Sequence, residues 1–164
     1  MIEKKWYPFY TKSRYEKKLY IELTKQNYEA YLPLQEVLRQ WKDRKKTVEV
    51  PLFPSYIFVR IETHQIPNVL HIQGIARYIS FNNQPAFVRD EEIELIKSFL
   101  NMNSEIEVVD GLIKDGAEIM MRSGIFSGYK GRVIKHCGKN KIVVELESMN
   151  KTILVTIEKE SLKD

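Results

Sequence analysis

The side chains of this chain best suited to nucleophilic or metal chemistry are His64, His71, His136 and Cys137. The histidines do not fall at metal-ligand spacing, and a single cysteine lacks the partners of a Cys-based metal site and of an intramolecular disulfide. His136 and Cys137 are adjacent, but a cysteine nucleophile also needs a third group to orient its base, and the sequence points to none. The acidic run Asp90-Glu91-Glu92 is accounted for by a helix start, where carboxylates are favoured by the dipole. No phosphate loop or dinucleotide fingerprint is present. The sequence therefore argues against an enzyme; no metal and no cofactor are expected, and the chemistry left to the chain is recognition.

Residues suited to recognition are concentrated in two places. In Pro51-Leu52-Phe53-Pro54-Ser55-Tyr56-Ile57-Phe58-Val59-Arg60, two prolines stiffen a turn before an aromatic and β-branched run, so Phe53 is displayed just before a strand begins. Such a turn can also open a core strand. The second place is the front of the chain. Residues 1 to 47 hold 12 Lys and Arg against 6 acids, residues 48 to 112 hold 4 against 9, and residues 113 to 164 hold 10 against 7. The formal net charge of +4 is thus a basic front, an acidic middle and a mildly basic end, an excess that fits nucleic acid or an acidic protein surface and demands neither.

Several elements must position these groups. Trp6 to Thr11 reads as a first strand, with Pro8 pointing to an edge or a bulge. From Arg14 the period changes: Tyr15, Leu19 and Leu23 mark the buried side of a helix running to about Gln26, and Arg14, Lys18, Glu22 and Lys25 mark an exposed stripe. Tyr28 to Pro33 is a second strand, Arg39 to Lys46 a charged loop or hairpin tip, and Tyr56 to Ile61 a third strand. Ile66 to Ile72 is a short helix, Ala76 to Phe81 a fourth strand, and Asp90 caps a helix with Ile93, Ile96, Phe99 and Leu100 inward. Strand, helix, two strands, helix, strand, helix is the order of a ferredoxin-like α+β sandwich. Residues 1–101 form this domain, and polar, aperiodic residues 102–111 form a linker.

From residue 112 to residue 164 a second unit is expected. Gly116, Gly124, Gly128 and Gly131 punctuate short β-prone runs, and Lys141 to Leu146 and Thr152 to Ile157 alternate around Glu147-Ser148-Met149-Asn150 as a hairpin does. Five short strands in so few residues imply a small closed barrel, with Phe126 as its plug. No apolar run approaches the ~18 residues of a membrane-spanning helix, and no signal peptide is visible. A cytoplasmic, soluble monomer is expected.

The frame of Gly116, Gly124, Phe126, Gly128 and Gly131 resembles the KOW motif, an SH3-like barrel. The preceding Trp6-Tyr7 and Phe53-Pro54-Ser55-Tyr56 resemble the amino-terminal domain of the NusG family of transcription elongation factors. Both motifs occur in order and the likeness covers nearly the whole chain. Trp6-Tyr7 with Tyr10-Thr11-Lys12, and Pro51-Leu52-Phe53-Pro54 with Tyr56-Ile57-Phe58-Val59, are more similar to specialised paralogues of the RfaH and UpxY type. Ser55 stands where the housekeeping members commonly carry glycine.

The resemblance implies a transcription elongation and antitermination factor whose front domain binds the clamp helices of RNA polymerase. Tyr10, Phe53, Pro54 and Tyr56 are then the polymerase-contacting candidates, with Trp6 and Tyr7 structural; for Tyr56, core and interface both remain open. It also implies contact with the non-template DNA strand through Lys12, Arg14, Lys18, Lys25 and Gln26, with His71, Gln73 and Arg77 around the Gln73-Gly74 turn. The KOW domain would recruit ribosomal protein S10, a termination factor or nascent RNA. β-Branched residues such as Val143, Val144, Ile153 and Val155 favour barrel over helix there. The competing reading is an RNA-binding ribosomal or ribosome-assembly protein.

Overall fold

Leu19 and Leu23, one helical turn apart, are both completely buried, and each contributes about 1.5–3 kcal/mol of apolar burial. They anchor α1 (Glu16–Lys25) against the sheet. The helix starts two residues later than its period suggests, because Arg14 is left-handed (φ 59°) and the chain turns there, Tyr15 N–H donating to Lys12 O. Arg14 therefore leaves the stripe of Lys18, Glu22 and Lys25. The far end closes as a Schellman motif: Asn27 is left-handed (φ 63°), Tyr28 N–H donates to Leu23 O and Asn27 N–H to Thr24 O.

The computed structural model describes residues 2–102, 104–113, 116–120, 130–136 and 138–157. They fall into two units, Met1–Asp90 and Glu91–Asp164. In the first, β1 (Lys5–Thr11), α1, β2 (Glu29–Tyr31), β5 (Tyr56–Ile61), α2 (Ile66–Leu70) and β6 (Ile75–Tyr78) make an antiparallel sheet of order β2-β5-β1-β6 with two helices, the ferredoxin-like arrangement. Between β2 and β5 the chain makes a separate two-stranded ribbon, β3 (Leu34–Gln40) and β4 (Lys45–Pro51). Its tip is the charged segment predicted to be a loop or hairpin tip. β7 (Ser80–Phe81) and β8 (Gln84–Pro85) form a second small hairpin.

Strand alternation gives the sheet two faces. Tyr7, Phe9, Ile57, Val59 and Ile61 join Leu19, Leu23, Ile66 and Val69 in the core on the helix side. Trp6, Pro8 and Tyr10 lie opposite Arg60, Phe58 and Tyr56 and share the other face with Tyr31. There Tyr31 meets Trp6 edge-on at 6.3 Å and stacks on Phe58 at 6.4 Å. β1 is an internal strand, contrary to the edge position that Pro8 suggests. β6 pairs only with Phe9 to Thr11, and Val88 N–H donates to Trp6 O, so Pro8 falls in the gap where no donor is required on that side. The bulge lies two residues on, between Tyr10 and Thr11.

The boundary between the units falls after the first residue of α3 (Asp90–Asn101), whose buried residues are Ile93, Ile96 and Phe99, with Leu100 only half-buried. Strands β9 (Ile106–Asp110), β10 (Ala117–Met120), β11 (Lys130–His136), β12 (Lys139–Leu146) and β13 (Lys151–Thr156) form an antiparallel sheet of order β10-β11-β12-β13-β9. Residues 106–110, read from sequence as linker, are thus a sheet strand paired with β13. Their polar content hid them: Glu107 reaches across to the buried Lys141 at 3.2 Å, while Glu105 and Asp110 pair with Lys139 and Lys151. The β12–β13 turn is set by Asn150 in the left-handed region (φ 51°).

Candidate functional site

The C-terminal end of β1 and the N-terminal ends of β5 and β6 meet at one end of the first sheet. Register places Tyr10 opposite Tyr56 on one side and opposite Arg77 on the other. The two phenol rings are 4.6 Å apart, and Tyr56 Oη donates to Tyr10 Oη at 2.9 Å. The Arg77 guanidinium lies over the Tyr10 ring at 4.5 Å, a cation–π contact that holds an exposed positive charge beside the pair. Tyr56 is buried at 8% exposure and Tyr10 is half-buried, so the pair presents an edge rather than open rings.

Below this pair the Phe53-Pro54-Ser55 turn is tightly determined. Phe53 is 1% exposed and packs edge-on against Phe58 at 5.9 Å, so it is a core residue and not the displayed aromatic that its sequence setting suggests. Pro54 is exposed beside it. Ser55 is left-handed (φ 65°), which explains why glycine suits this position. Its N–H donates to the buried carboxylate of Glu16 at 2.9 Å and its carbonyl accepts from Thr11 N–H, joining the turn to α1 and β1. Trp6 and Tyr7 are buried, and Tyr7 Oη bonds Thr63 Oγ1 at 2.6 Å, which suits the structural role expected of them.

The residues expected to face nucleic acid divide between this end of the sheet and a neighbouring cleft. Lys12 N–H donates to Gly74 O, which brings the β1–α1 turn against the α2–β6 turn. Gly74 has φ 103°, and a Cβ there would stand 2.2 Å from the Tyr15 ring. Only glycine permits that approach. The same ring carries Lys18 Nζ at 5.6 Å. Beside it a cleft of about 360 Å³ is lined by Tyr15, Glu22, Gln26, Asn68, His71 and Gln73, among others. His71 Nδ1 donates to Pro67 O at 2.6 Å, which fixes the ring at the edge of the cleft. Gln26 Nε2 is engaged by Glu22 Oε1 at 2.8 Å.

Lys12, Arg14, Lys18, Lys25 and Arg77 are all exposed, but they do not form one patch. Arg77 groups with Tyr10 and Tyr56, Gln26, His71 and Gln73 share the cleft, and Lys25 lies two helical turns from Lys18, about 10 Å along α1. The geometry suits contact through a tyrosine edge and an amide-lined cleft. Among the described residues no group of His, Cys, Asp and Glu is arranged to hold a metal ion.

Residues 4–97 match the family model described as NusG, transcription termination factor, a span of more than half the chain that contains the tyrosine pair and the cleft. The chain belongs to the NusG family of transcription termination and antitermination factors. The transcription termination/antitermination protein NusG of Streptococcus pyogenes serotype M1 is 26% identical to it, over 96% of this chain and 94% of the relative. The proteins of that name from Halalkalibacterium halodurans and Borreliella burgdorferi are each 21% identical, covering 96% and 80% of this chain and 96% and 82% of their own lengths. The solved structure titled "Domain interaction in Thermotoga maritima NusG" shares the fold, with a TM-score of 0.51 and 20% identity over 92% of each chain.

In this NusG-family chain the KOW glycines are only partly in view. Gly116 has φ 124° and its Cβ would stand 2.6 Å from Ile134 Cγ2, so the position requires glycine. Gly131 pairs with Ile119 between β10 and β11. Gly124, Phe126 and Gly128 lie outside the described residues. Sequence reasoning missed Glu22 and Asn68 as cleft residues, because an acid on a basic helix and an asparagine in a short helix have no distinguishing spacing. It also missed the length of the β3–β4 ribbon. No described helix is long and apolar enough to cross a membrane.

Proposed function

We propose that this chain is a specialised antiterminator of the RfaH and UpxY type that rides on RNA polymerase and serves a particular operon, such as one for surface polysaccharide. The observation that carries the reading is the Tyr10–Tyr56 pair with Arg77 over it and Pro54 exposed alongside. A rigid aromatic edge next to a stiff turn provides contact area at little entropic cost, as interface hot spots do. Its partner would be the clamp helices. Phe53 acts from beneath by holding Tyr56 and the turn in place.

Lys12, Lys18 and the cleft of Gln26, His71 and Gln73 would meet the non-template strand, the cations tracking phosphates and the amides and His71 bonding splayed bases. Holding the clamp closed is a population shift in polymerase, with no bond made or broken by this protein. In this reading residues 1–101 bind polymerase, and the KOW domain from residue 112 recruits ribosomal protein S10, a termination factor or nascent RNA, all in the cytoplasm.

Copurification followed by mapping of genomic occupancy tests the proposal. Polymerase subunits with occupancy confined to one operon are the expected result. Occupancy over most genes would mean a housekeeping factor, and association with ribosomes without polymerase would overturn the reading in favour of a ribosomal protein.

A further inference from the structure

Among the described residues Glu16 is the one buried acid, 7% exposed at the first position of α1. It shares the buried side of the helix with Leu19 and Leu23, three and seven residues on, where an apolar side chain would be buried at no polar cost. A carboxylate in such a place needs a donor, and it takes one from a distant part of the chain. Ser55 N–H donates to Glu16 Oε1 at 2.9 Å. Besides joining the turn to α1, this bond decides which of two forms the turn takes.

Tyr56 N–H donates to Phe53 O at 3.1 Å and closes a four-residue turn with Pro54 and Ser55 at its centre. The proline ring restricts the first central position to a negative φ, and Ser55 at the second has φ 65°, so the turn is type II. A serine there would by itself favour type I, because its Cβ is disfavoured in the left-handed region. The two types differ by a rotation of the Pro54–Ser55 peptide plane. The flanks are held by other bonds, Ser55 O accepting from Thr11 N–H and Tyr56 pairing with Tyr10, so the central peptide is the part left to turn. No peptide bond is cis; with Ser55 N–H aimed at Glu16, the Pro54 carbonyl points the opposite way.

We propose that Glu16 is a positioning residue for the polymerase-binding edge: its carboxylate latches the Pro54–Ser55 peptide in the type II orientation and so presents the exposed Pro54 and its carbonyl next to Tyr56. The inference rests on the polymerase reading for its partner, while the latch itself stands on the geometry of the turn. A hydrogen bond to a carboxylate is stronger than one to a neutral acceptor, and here it offsets the left-handed strain at Ser55. Without it, fewer molecules hold the turn ready for the partner, and apparent affinity falls by the same fraction. Left-handed strain at a residue other than glycine corresponds to a factor of about 5 to 30.

The test is a cycle of full-chain proteins: the parent, Glu16→Ala, Ser55→Gly and the two changes together, each read by NMR and by calorimetric titration with a clamp-helix fragment. A type II turn brings Ser55 N–H next to Pro54 Hα, so a strong NOE between them marks the latched form. Glu16→Ala should weaken that NOE and lower affinity by about 5- to 30-fold in folded protein. Adding Ser55→Gly should restore both, because glycine takes the left-handed region without strain. A carboxylate that merely stabilised the fold would not be replaced in this way. Glu16→Gln keeps an oxygen acceptor and should keep the NOE. An NOE unchanged in folded Glu16→Ala would overturn the proposal, and so would a loss of binding that Ser55→Gly does not restore. A parent protein that does not bind the fragment would instead overturn the polymerase reading, with the NOE still deciding the latch.

Discussion

Tyr56 Oη donates a 2.9 Å hydrogen bond to Tyr10 Oη while the two rings sit 4.6 Å apart, so the edge between β1 and β5 is fixed by both its polar and its apolar contacts. Tyr10→Ala removes the more exposed ring together with the seat of Arg77. It should weaken polymerase binding by about 1–3 kcal/mol in a folded protein. Tyr56→Phe keeps the ring and should cost only about 0.5–1.5 kcal/mol of stability through the lost bond. Calorimetric titration against a clamp-helix fragment measures the first; equal affinity for Tyr10→Ala would remove the pair from the interface.

Phe53→Ala should act on folding before it acts on binding. The ring is fully buried against Phe58, and truncating such a residue costs about 3–5 kcal/mol. Urea denaturation checks this, and a loss below about 1 kcal/mol would contradict core packing. Any loss of polymerase binding should track the unfolded fraction.

Ser55 and Gly74 make opposite predictions from one principle. Ser55 occupies the left-handed region at φ 65° with a side chain whose Cβ is disfavoured there, so Ser55→Gly should be neutral or stabilising by up to about 1 kcal/mol. Gly74→Ala places a Cβ against the Tyr15 ring at φ 103° and should destabilise by more than about 1 kcal/mol. The melting temperature should fall for Gly74→Ala and should not fall for Ser55→Gly.

Acid should loosen the edge of the second sheet. Hydrogen bonds from Lys139 and Lys151, and then the charges of the same lysines, hold Glu105 and Asp110 below their ordinary values of 4.5 and 3.8, with Lys141 adding its charge at Glu105. Because the folded values lie below the unfolded ones, this stabilisation is present above the ordinary values and is lost as pH falls through the folded ones. Carboxyl chemical shifts followed by NMR should give midpoints below those values, and Lys151→Met should return Asp110 towards 3.8. A midpoint for Asp110 unchanged by that substitution would mean that Lys151 is not the cause.

Lys18→Glu combined with Lys25→Glu should lower readthrough of a terminator in a transcription assay while polymerase binding stays intact. Both side chains are exposed on α1, so the fold should tolerate the change. Equal readthrough would reduce the stripe to a solvated helix face.

Much of this molecule is written in local pattern. Leu19 and Leu23, the strand Tyr56–Ile61, the inward stripe of Ile93, Ile96 and Phe99 and the glycine at 116 follow from helical period, β-branching and required φ, each decided by a few neighbouring residues. The NusG-type order of motifs was legible for the same reason. What only the tertiary structure decided is which face each aromatic and cation takes. Phe53 is core while Tyr10 and Arg77 form the edge, Arg14 leaves its helix, Pro8 lies inside a sheet, and residues 106–110 join a sheet rather than link two domains. These outcomes depend on strand order and on partners dozens of residues away, and no local spacing encodes them.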